Sequence, residues 1–503
     1  MKSIIPAQGF SFKYLKEDLS AGLVVFLVAL PLCLGIALAS GAPLFSGIIA
    51  GIVGGIVVAT ISGSALSVTG PAAGLTVIVL NGISDLGSFD LFLLSVMIAG
   101  VFQIFLGYLK AGLIGYYFPS SVIKGMLAAI GIILILKQLP IAIGYNASAN
   151  SQYHIGTIII AVSAIATILI WDAPILKRFA LFKWVPGALI AVVVGVVVNE
   201  YFVRFQPQWV LPTNAMVALP VAKSTEHFLE QFNFPDFSGL TNYKVYLLGV
   251  TIAIIASLET LLSTEAADKL DPYKRVTPTN RELVAQGVGN FISGLIGGLP
   301  MTAVIVRTSA NVNAGAKTKL AAIFHGLLLI TSIIALAAFL NKIPLACLAA
   351  VLLIVGYKLA KISLFKEMYK LGWEQFMPFV ITILAIQFTD LLKGIAIGML
   401  VAIFYILRTN YRRDYKIHQS SKSEGGDIKI ILSEHVTFIN KGSIAKKIAE
   451  IPQGTKVVID ASSSHYIDLD VLEILHDFKA QAALKNIKVE FIQVPERIQV
   501  SGH

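Results

Sequence analysis

Two charged side chains stand inside otherwise apolar runs, and their types set the chemistry open to this chain. Arg307 lies in Thr302-Ala303-Val304-Ile305-Val306-Arg307-Thr308-Ser309, and Glu259 in Ile255-Ala256-Ser257-Leu258-Glu259-Thr260-Leu261-Leu262-Ser263. A charge at such a depth is costly unless it faces a wet cavity or a partner, which is why intramembrane charges so often mark an ion path. Arg307 offers a permanent positive charge to an anion. Glu259, with the Ser263 hydroxyl one turn further along the same helix face, offers a carboxylate that can take Na+ or carry a proton. The plainer alternative is a buried Glu259–Arg307 ion pair that does no more than join two helices.

The elements that must position these groups announce themselves by interruptions. Ser67-Val68-Thr69-Gly70-Pro71-Ala72-Ala73-Gly74-Leu75-Thr76 and Gly297-Gly298-Leu299-Pro300-Met301-Thr302-Ala303 are short and broken by Gly and Pro. Pro71 and Pro300 suit the first turn of a helix, where a missing N–H removes no bond. Each segment therefore predicts a half-helix starting at mid-membrane, with Arg307 about two turns along the second. Two such starts aim free backbone N–H groups and positive dipole ends at one cavity, which favours an anion. Gly and Pro also serve membrane helices simply by allowing close packing and kinks. Their matched placement in two halves, however, is the pattern of secondary transporters with discontinuous helices.

Composition supports that setting. Of 503 residues 56% are hydrophobic, and only 39 + 29 = 68 are charged, which excludes a single soluble globule. Apolar runs near the length needed to cross about 30 Å of hydrocarbon lie at 21–40, 44–62, 68–81, 91–109, 119–138, 154–171 and 185–203. After a polar loop they resume at 243–263, 282–297, 300–314, 318–340, 342–358, 373–389 and 391–408, which gives seven on each side of the loop. Loops on the side of the termini carry most of the Lys and Arg, among them Lys110, Lys183, Lys269, Lys274, Arg275, Arg281, Lys317 and Lys366. The opposite loops carry few, among them Lys137, Arg204, Lys223, Lys244 and Lys342, so both termini are expected in the cytoplasm and the 204–242 loop outside. The start of the chain has no removable signal peptide pattern, so the first span acts as its own insertion signal in the plasma membrane.

Residues 411–503 hold 25 of the 68 charged side chains, 13 basic and 12 acidic, so about nine units of the net charge of +10 fall on the membrane body. That distribution gives no basic face for nucleic acid. Cys33 and Cys347 lie far apart in apolar runs and form no disulfide framework. The tail alternates strands with helices: strands at Ile428–Leu432, Val436–Asn440, Lys456–Asp460 and Ile487–Ile492, helices at 443–450 and 469–484, hence a small α/β domain with a mixed sheet. No metal-ligand spacing, nucleophile elbow or phosphate loop is present, so an enzyme, a cofactor or a metal centre has no support. His154 and His325 read as packing residues, Lys124 as a snorkelling one, and Asn290, Gln286 and Gln103 as bridges between helices.

These residues carry a resemblance that covers essentially the whole chain. Glu17-Asp18-Leu19-Ser20-Ala21-Gly22-Leu23, Ser67-Val68-Thr69-Gly70-Pro71, Leu258-Glu259-Thr260, Arg307-Thr308 and Gly315-Ala316-Lys317-Thr318 are similar to the SulP anion permeases (solute carrier family 26). The tail looks like their STAS domain, here 427–503, after a cytoplasmic segment 1–18 and a transport domain 19–410 with repeats at 19–203 and 243–408. The resemblance implies an all-α polytopic fold of two inverted seven-span repeats, a core domain moving against a gate domain, and a homodimer. It implies an inorganic anion held near Thr69, Ala72, Ala73, Thr302, Ala303 and Arg307, and cation coupling at Glu259 and Ser263.

Three departures shape the expectation. Pro31-Leu32-Cys33 lacks the Pro-Gln of many sulfate-type members, while Ala29-Leu30-Pro31-Leu32 with Ala39-Ser40-Gly41 is more similar to the bacterial bicarbonate branch. In that branch an acid at the Glu259 position and a hydroxyl one turn on bind Na+. Arg307 instead is typical of chloride and sulfate members. In the tail, Asp468-Leu469-Asp470-Val471 replaces the family's Asp-Ser-Ser-Gly, so no phosphorylation switch is expected there, although the tail can bind a regulatory partner. The expected function is secondary active transport of bicarbonate or sulfate with Na+ or H+. An uncoupled channel or exchanger, and an organic anion or nucleobase permease, are the alternatives on the same architecture.

Overall fold

The structure is a computed structural model, described here for residues 12–145, 153–178, 185–219, 232–389, 391–412, 415–419, 428–482 and 486–496. Lys183, Lys223, the middle of the 204–242 loop, most of the segment 1–18 and both ends of the expected 427–503 domain lie outside the described residues. The chain forms two compact units, one of 1–370 with 379–397 and one of 371–378 with 398–503.

The apolar runs read from the sequence fall on helices, except that 68–81 and 300–314 each begin on a short strand. The first half contains α1 (Leu15–Ala39), α2 (Leu44–Ile61), β1 (Thr69–Pro71), α3 (Thr76–Leu86), α4 (Phe89–Tyr108), α5 (Ser120–Ala142), α6 (Ile155–Trp171) and α7 (Gly187–Phe205). The second contains α8 (Tyr243–Leu270), α9 (Thr279–Leu295), β2 (Met301–Ala303), α10 (Ile305–Asn313), α11 (Leu320–Leu340), α12 (Leu345–Leu359), α13 (Ile362–Lys370), α14 (Trp373–Phe388) and α15 (Leu391–Arg412). Nine helical stretches among the described residues are long and apolar enough to cross a membrane.

The two interrupted segments meet. β1 and β2 pair antiparallel, with Thr69 opposite Ala303, Gly70 opposite Thr302 and Pro71 opposite Met301. Val304 N adds a bond to Val68 O at 2.9 Å, so the short ladder satisfies backbone groups of two buried strands. This corrects the placement of the prolines. Pro71 ends a strand and Pro300 precedes one, while the helices begin later, at the 3-10 turn Ala73–Leu75 that leads into α3 and at Ile305. Proline tolerates the end of a strand because it has no N–H to give to the ladder.

Small residues let the surrounding helices close on this crossing. α2 carries a π-helical turn at Gly54–Val58, a distortion frequent at functional sites. A side-chain carbon at Gly54 would lie 2.5 Å from the Thr69 carbonyl oxygen, so only glycine lets α2 approach β1. Likewise a carbon at Gly287 of α9 would lie 2.7 Å from the Gly100 carbonyl oxygen of α4. Small residues at helix contacts are how backbones approach closely in lipid.

α9 is polar along one stripe, with Glu282, Gln286, Asn290 and Ser293 all buried. It acts as a spine. Glu282 accepts from Ser62, Gln286 Nε2 donates to Glu282 Oε1 at 3.0 Å, and Asn290 holds both ends of Met301 by donating to its O and accepting from its N at 2.7 Å. Two of the stretches singled out in the sequence also prove to be one contact. Buried Asp18 on α1 accepts from Lys317 N, Thr318 N and the Thr318 hydroxyl, placing an acid at the start of α11, where the dipole favours it.

In the second unit, β3 (Tyr415–Gln419), β4 (Ile428–Leu432), β6 (Lys456–Asp460) and β8 (Lys488–Ile492) form one sheet in the order β3-β4-β6-β8, antiparallel at β3-β4 and parallel elsewhere. β5 (His435–Val436) pairs with β7 (Tyr466–Ile467), and helices α16 (Lys441–Ala449) and α17 (Leu469–Ala482) complete the unit. Ile430, Leu432, Val457, Ile459, Val471 and Leu475 form its core. The expected strand Val436–Asn440 is mostly a 3-10 turn, because Thr437 and Asn440 form a capping box that bends the backbone out of the extended state. Asp468 caps α17 by accepting from Asp470 N at 3.0 Å.

Candidate functional site

Arg307 is the third residue of α10, in its first turn and not two turns along, because the helix starts at Ile305. Its side chain is fully buried. Nη2 lies 3.3 Å from Cys33 Sγ on α1, while Nε and Nη1 have no hydrogen-bond partner among the described residues. A side-chain carbon at Gly70 would overlap Nη1, so the guanidinium lies directly against β1 at the strand crossing. Buried donors without partners are rare in folded proteins and call for an explanation such as a ligand or a water.

Glu259 sits against the other half-helix. Both carboxylate oxygens are 2.6 Å from where a Gly74 side-chain carbon would stand, so the carboxylate lies directly against the turn into α3. Oε2 is closed to solvent and has no partner among the described residues. Buried Ser263 follows one turn along α8. No ion pair within 4.0 Å joins Glu259 to Arg307, so the two charges do not neutralise one another by contact. The reading of a buried pair that only joins helices therefore fails.

The remaining predicted residues gather at the crossing but play unequal parts. Thr69 is buried and its hydroxyl accepts from Gln286 Nε2 at 2.7 Å, which ties β1 to the polar spine. Buried Thr302 donates its hydroxyl to the Ala303 carbonyl at 3.2 Å, and Ala303 N donates to Thr260 Oγ1 on α8 at 3.3 Å. Ala72 is extended and buried, and Ala73 opens the turn into α3. The crossing thus unites Thr69, Ala72, Thr302, Ala303 and Arg307, while Ala73 and Gly74 lead to Glu259.

The bridging role read for Gln103, Gln286 and Asn290 holds: Asn290 Nδ2 donates to Gln103 Oε1 at 2.6 Å, and Gln103 Nε2 donates to Ser257 at 3.2 Å. Lys124 pairs with Glu367 at 2.8 Å, and His154 caps α6 by accepting from Thr157 N at 3.2 Å. Cys33, Gly70, Gly74 and Thr260 are the functional neighbours that sequence reasoning missed. The Gly-Pro pair at 70–71 was the one local signal for a close approach.

A groove of about 560 Å³ opens beside α3 and α8, lined by Asn81, Asp85, Leu86, Lys244, Leu248, Thr251 and Leu391 among others. Thr251 and Glu259 are eight residues apart on α8, which places them on one helix face two turns apart.

Known proteins share this architecture. The structure of the murine solute carrier 26 family member A9 anion transporter superposes with a TM-score of 0.77 at 16% identity, over 97% of this chain and 87% of that one. Two half-helices meeting at mid-body within this helical fold define a multi-pass membrane transporter, not an enzyme. The model of the sulfate permease family matches residues 15–385, and the chain belongs to that family. YvdB of Bacillus subtilis (strain 168), provisionally named a sulfate transporter, is 26% identical over 96% of this chain and 92% of its own length. The bicarbonate transporter BicA of Picosynechococcus sp. (strain ATCC 27264 / PCC 7002 / PR-6) is 26% identical over 78% of this chain and 70% of its own. The family is one of sulfate and bicarbonate transporters, so an inorganic anion and the lipid bilayer are its partners.

Proposed function

We propose that the chain is a secondary active transporter of a small oxyanion, sulfate or bicarbonate, driven by Na+ or H+ through Glu259. The observation that carries the reading is the fully buried Arg307, with two nitrogens unpartnered among the described residues at the point where the two half-helices begin. An anion there meets one full positive charge and the free N–H groups of two helix starts, while the surrounding hydrocarbon strengthens each interaction.

Glu259 supplies the coupling. Its carboxylate touches the start of α3 through Gly74 and reaches no counter-charge, so a cation or a proton on it neutralises the site when the anion is bound. With bicarbonate and one monovalent cation or proton seated the crossing carries no net excess charge, whereas sulfate needs two, and the core can then move past the gate without carrying a bare charge through hydrocarbon. An uncoupled exchanger would use Glu259 as a fixed partner of Arg307, and the missing contact between them disfavours it. In this reading both termini are cytoplasmic, the membrane is the plasma membrane, and two copies pair.

The test is uptake of labelled bicarbonate and labelled sulfate into proteoliposomes, each with and without an inward Na+ or H+ gradient. Accumulation of one anion above its equilibrium level only with a gradient supports the proposal. Equilibration that ignores both gradients refutes the coupling, and no uptake of either anion refutes the substrate class.

A further inference from the structure

Arg307 offers five N–H donors in a rigid fork, and among the described residues the one protein group that meets them is the sulfur of Cys33. The choice of sulfur has a physical consequence. A carboxylate in its place would make a short charge-assisted pair and cancel the arginine. An aliphatic group would leave all three nitrogens unheld. A neutral thiol is a weak acceptor, so it fixes one edge of the guanidinium and leaves the positive charge uncompensated.

The packing around Cys33 is built to the size of that side chain. A carbon added at Gly51 of α2 would lie 2.8 Å from the sulfur, and one at Gly47 would overlap the Cys33 carbonyl oxygen, so α2 presses a glycine face onto α1 at this level. On the far side of the guanidinium, Gly70 leaves room for Nη1 and no more. His325 on α11 faces the Gly55 backbone nearby, and its Nε2 has no partner among the described residues. Cys33 itself is fully buried.

We propose that Cys33 is the positioning residue of Arg307: its sulfur holds Nη2 and thereby directs Nε and Nη1 toward an anion at the strand crossing. It acts on anion affinity without touching the anion. The inference rests on the reading of Arg307 as the counter-charge of the transported anion, and it adds how a fully buried arginine is kept both fixed and unneutralised.

The experiment reads anion binding directly and does not depend on transport. The unfolding temperature of the full chain in detergent is titrated with bicarbonate, sulfate and chloride at constant ionic strength, and the midpoint of the rise gives the affinity. Wild type, Cys33→Ser, Cys33→Ala, Cys33→Asp and Arg307→Ala are compared. The serine hydroxyl still accepts from Nη2, so Cys33→Ser keeps the midpoint within about threefold, whereas Cys33→Ala raises it about tenfold, the scale of one hydrogen bond to a charged group. The anion-free unfolding temperature of Cys33→Ala stays near that of wild type, which a purely structural role would not allow. Cys33→Asp supplies an internal counter-ion and abolishes the rise; should that variant not fold, the serine and alanine pair decides.

A wild-type midpoint in Cys33→Ala, or equal weakening in Cys33→Ser and Cys33→Ala, overturns the positioning role while leaving Arg307 as the anion's partner. A wild-type midpoint in Arg307→Ala, or no rise in wild type with any of the three anions, overturns both.

Discussion

The two strand–helix units that cross at the centre of the membrane body occupy equivalent places and contribute opposite things. In the first, β1 and α3 bring Gly70 and Gly74, and each glycine leaves room for a charged head from elsewhere: Gly70 for Arg307, Gly74 for Glu259. In the second, β2 and α10 bring Arg307 itself, while the Ala303 amide is held by Thr260 of the helix that bears Glu259. One half of the chain provides space and the other provides charge. The difference teaches why neither unit alone is a site, and why both charges can be buried without contact: each has a separate glycine as its neighbour. The tail offers a contrast, since ion pairs there such as Lys441 with Asp470 are solvent-exposed and stabilise locally.

Substitutions that exchange space for bulk or remove charge break this division in graded steps. The largest effect is expected for Arg307→Ala, which should weaken anion binding about a hundredfold, the scale of losing one buried charged partner, as read by the KM of uptake. Gly70→Ala should follow, with a rise of about thirtyfold, because its methyl displaces Nη1 while the backbone conformation remains one alanine can adopt. Gly74→Ala should act on the other charge. By pressing on both Glu259 oxygens it should lower the cation-driven accumulation ratio about tenfold and leave anion exchange intact. Equal effects of the two glycine variants on both readouts would erase the proposed separation.

The smallest effect is expected in the tail. The Asp460 carboxyl is held down to about 2, first by the hydrogen bond from Lys429 and then by Ser462. Because the folded value lies below the ordinary one of about 3.9, the stabilisation is complete above about pH 4 and is lost as pH falls toward the folded value. The Lys429 side chain is 42% exposed, so Asp460→Asn should cost well under about 1 kcal/mol at pH 7. Hydrogen exchange across Lys456–Asp460 should show that small loss at pH 7 and a smaller one near pH 2.

What the sequence makes legible follows from range. Apolar runs of membrane length, the two Gly and Pro interruptions and the two intramembrane charges are local patterns, and each marks a real element or side chain at the crossing. The pairing of Gly70 with Thr302 joins residues far apart in the chain, and no local pattern distinguishes a strand of three residues from the start of a helix. The prolines were therefore placed on helices, and Arg307 a turn too far in. Asp18 and Thr318 stood out as separate stretches, but only the fold shows that the acid binds the backbone and hydroxyl of the other just before α11. That the Thr69 hydroxyl accepts from Gln286 while keeping its own O–H to donate is likewise visible only in the fold. In the tail the short β7 and the strand Tyr415–Gln419 escape notice because they are brief and flank polar loops.

The central claim is that Glu259 couples a cation to an anion held by Arg307, with the two charges acting apart. Its most direct measurement compares wild type with Glu259→Gln in proteoliposomes, following labelled anion under an inward Na+ or H+ gradient and, separately, in equilibrium exchange without a gradient. The account predicts that Glu259→Gln loses gradient-driven accumulation while keeping exchange within about threefold of wild type. Accumulation that survives the substitution, or exchange that disappears with it, would contradict the account.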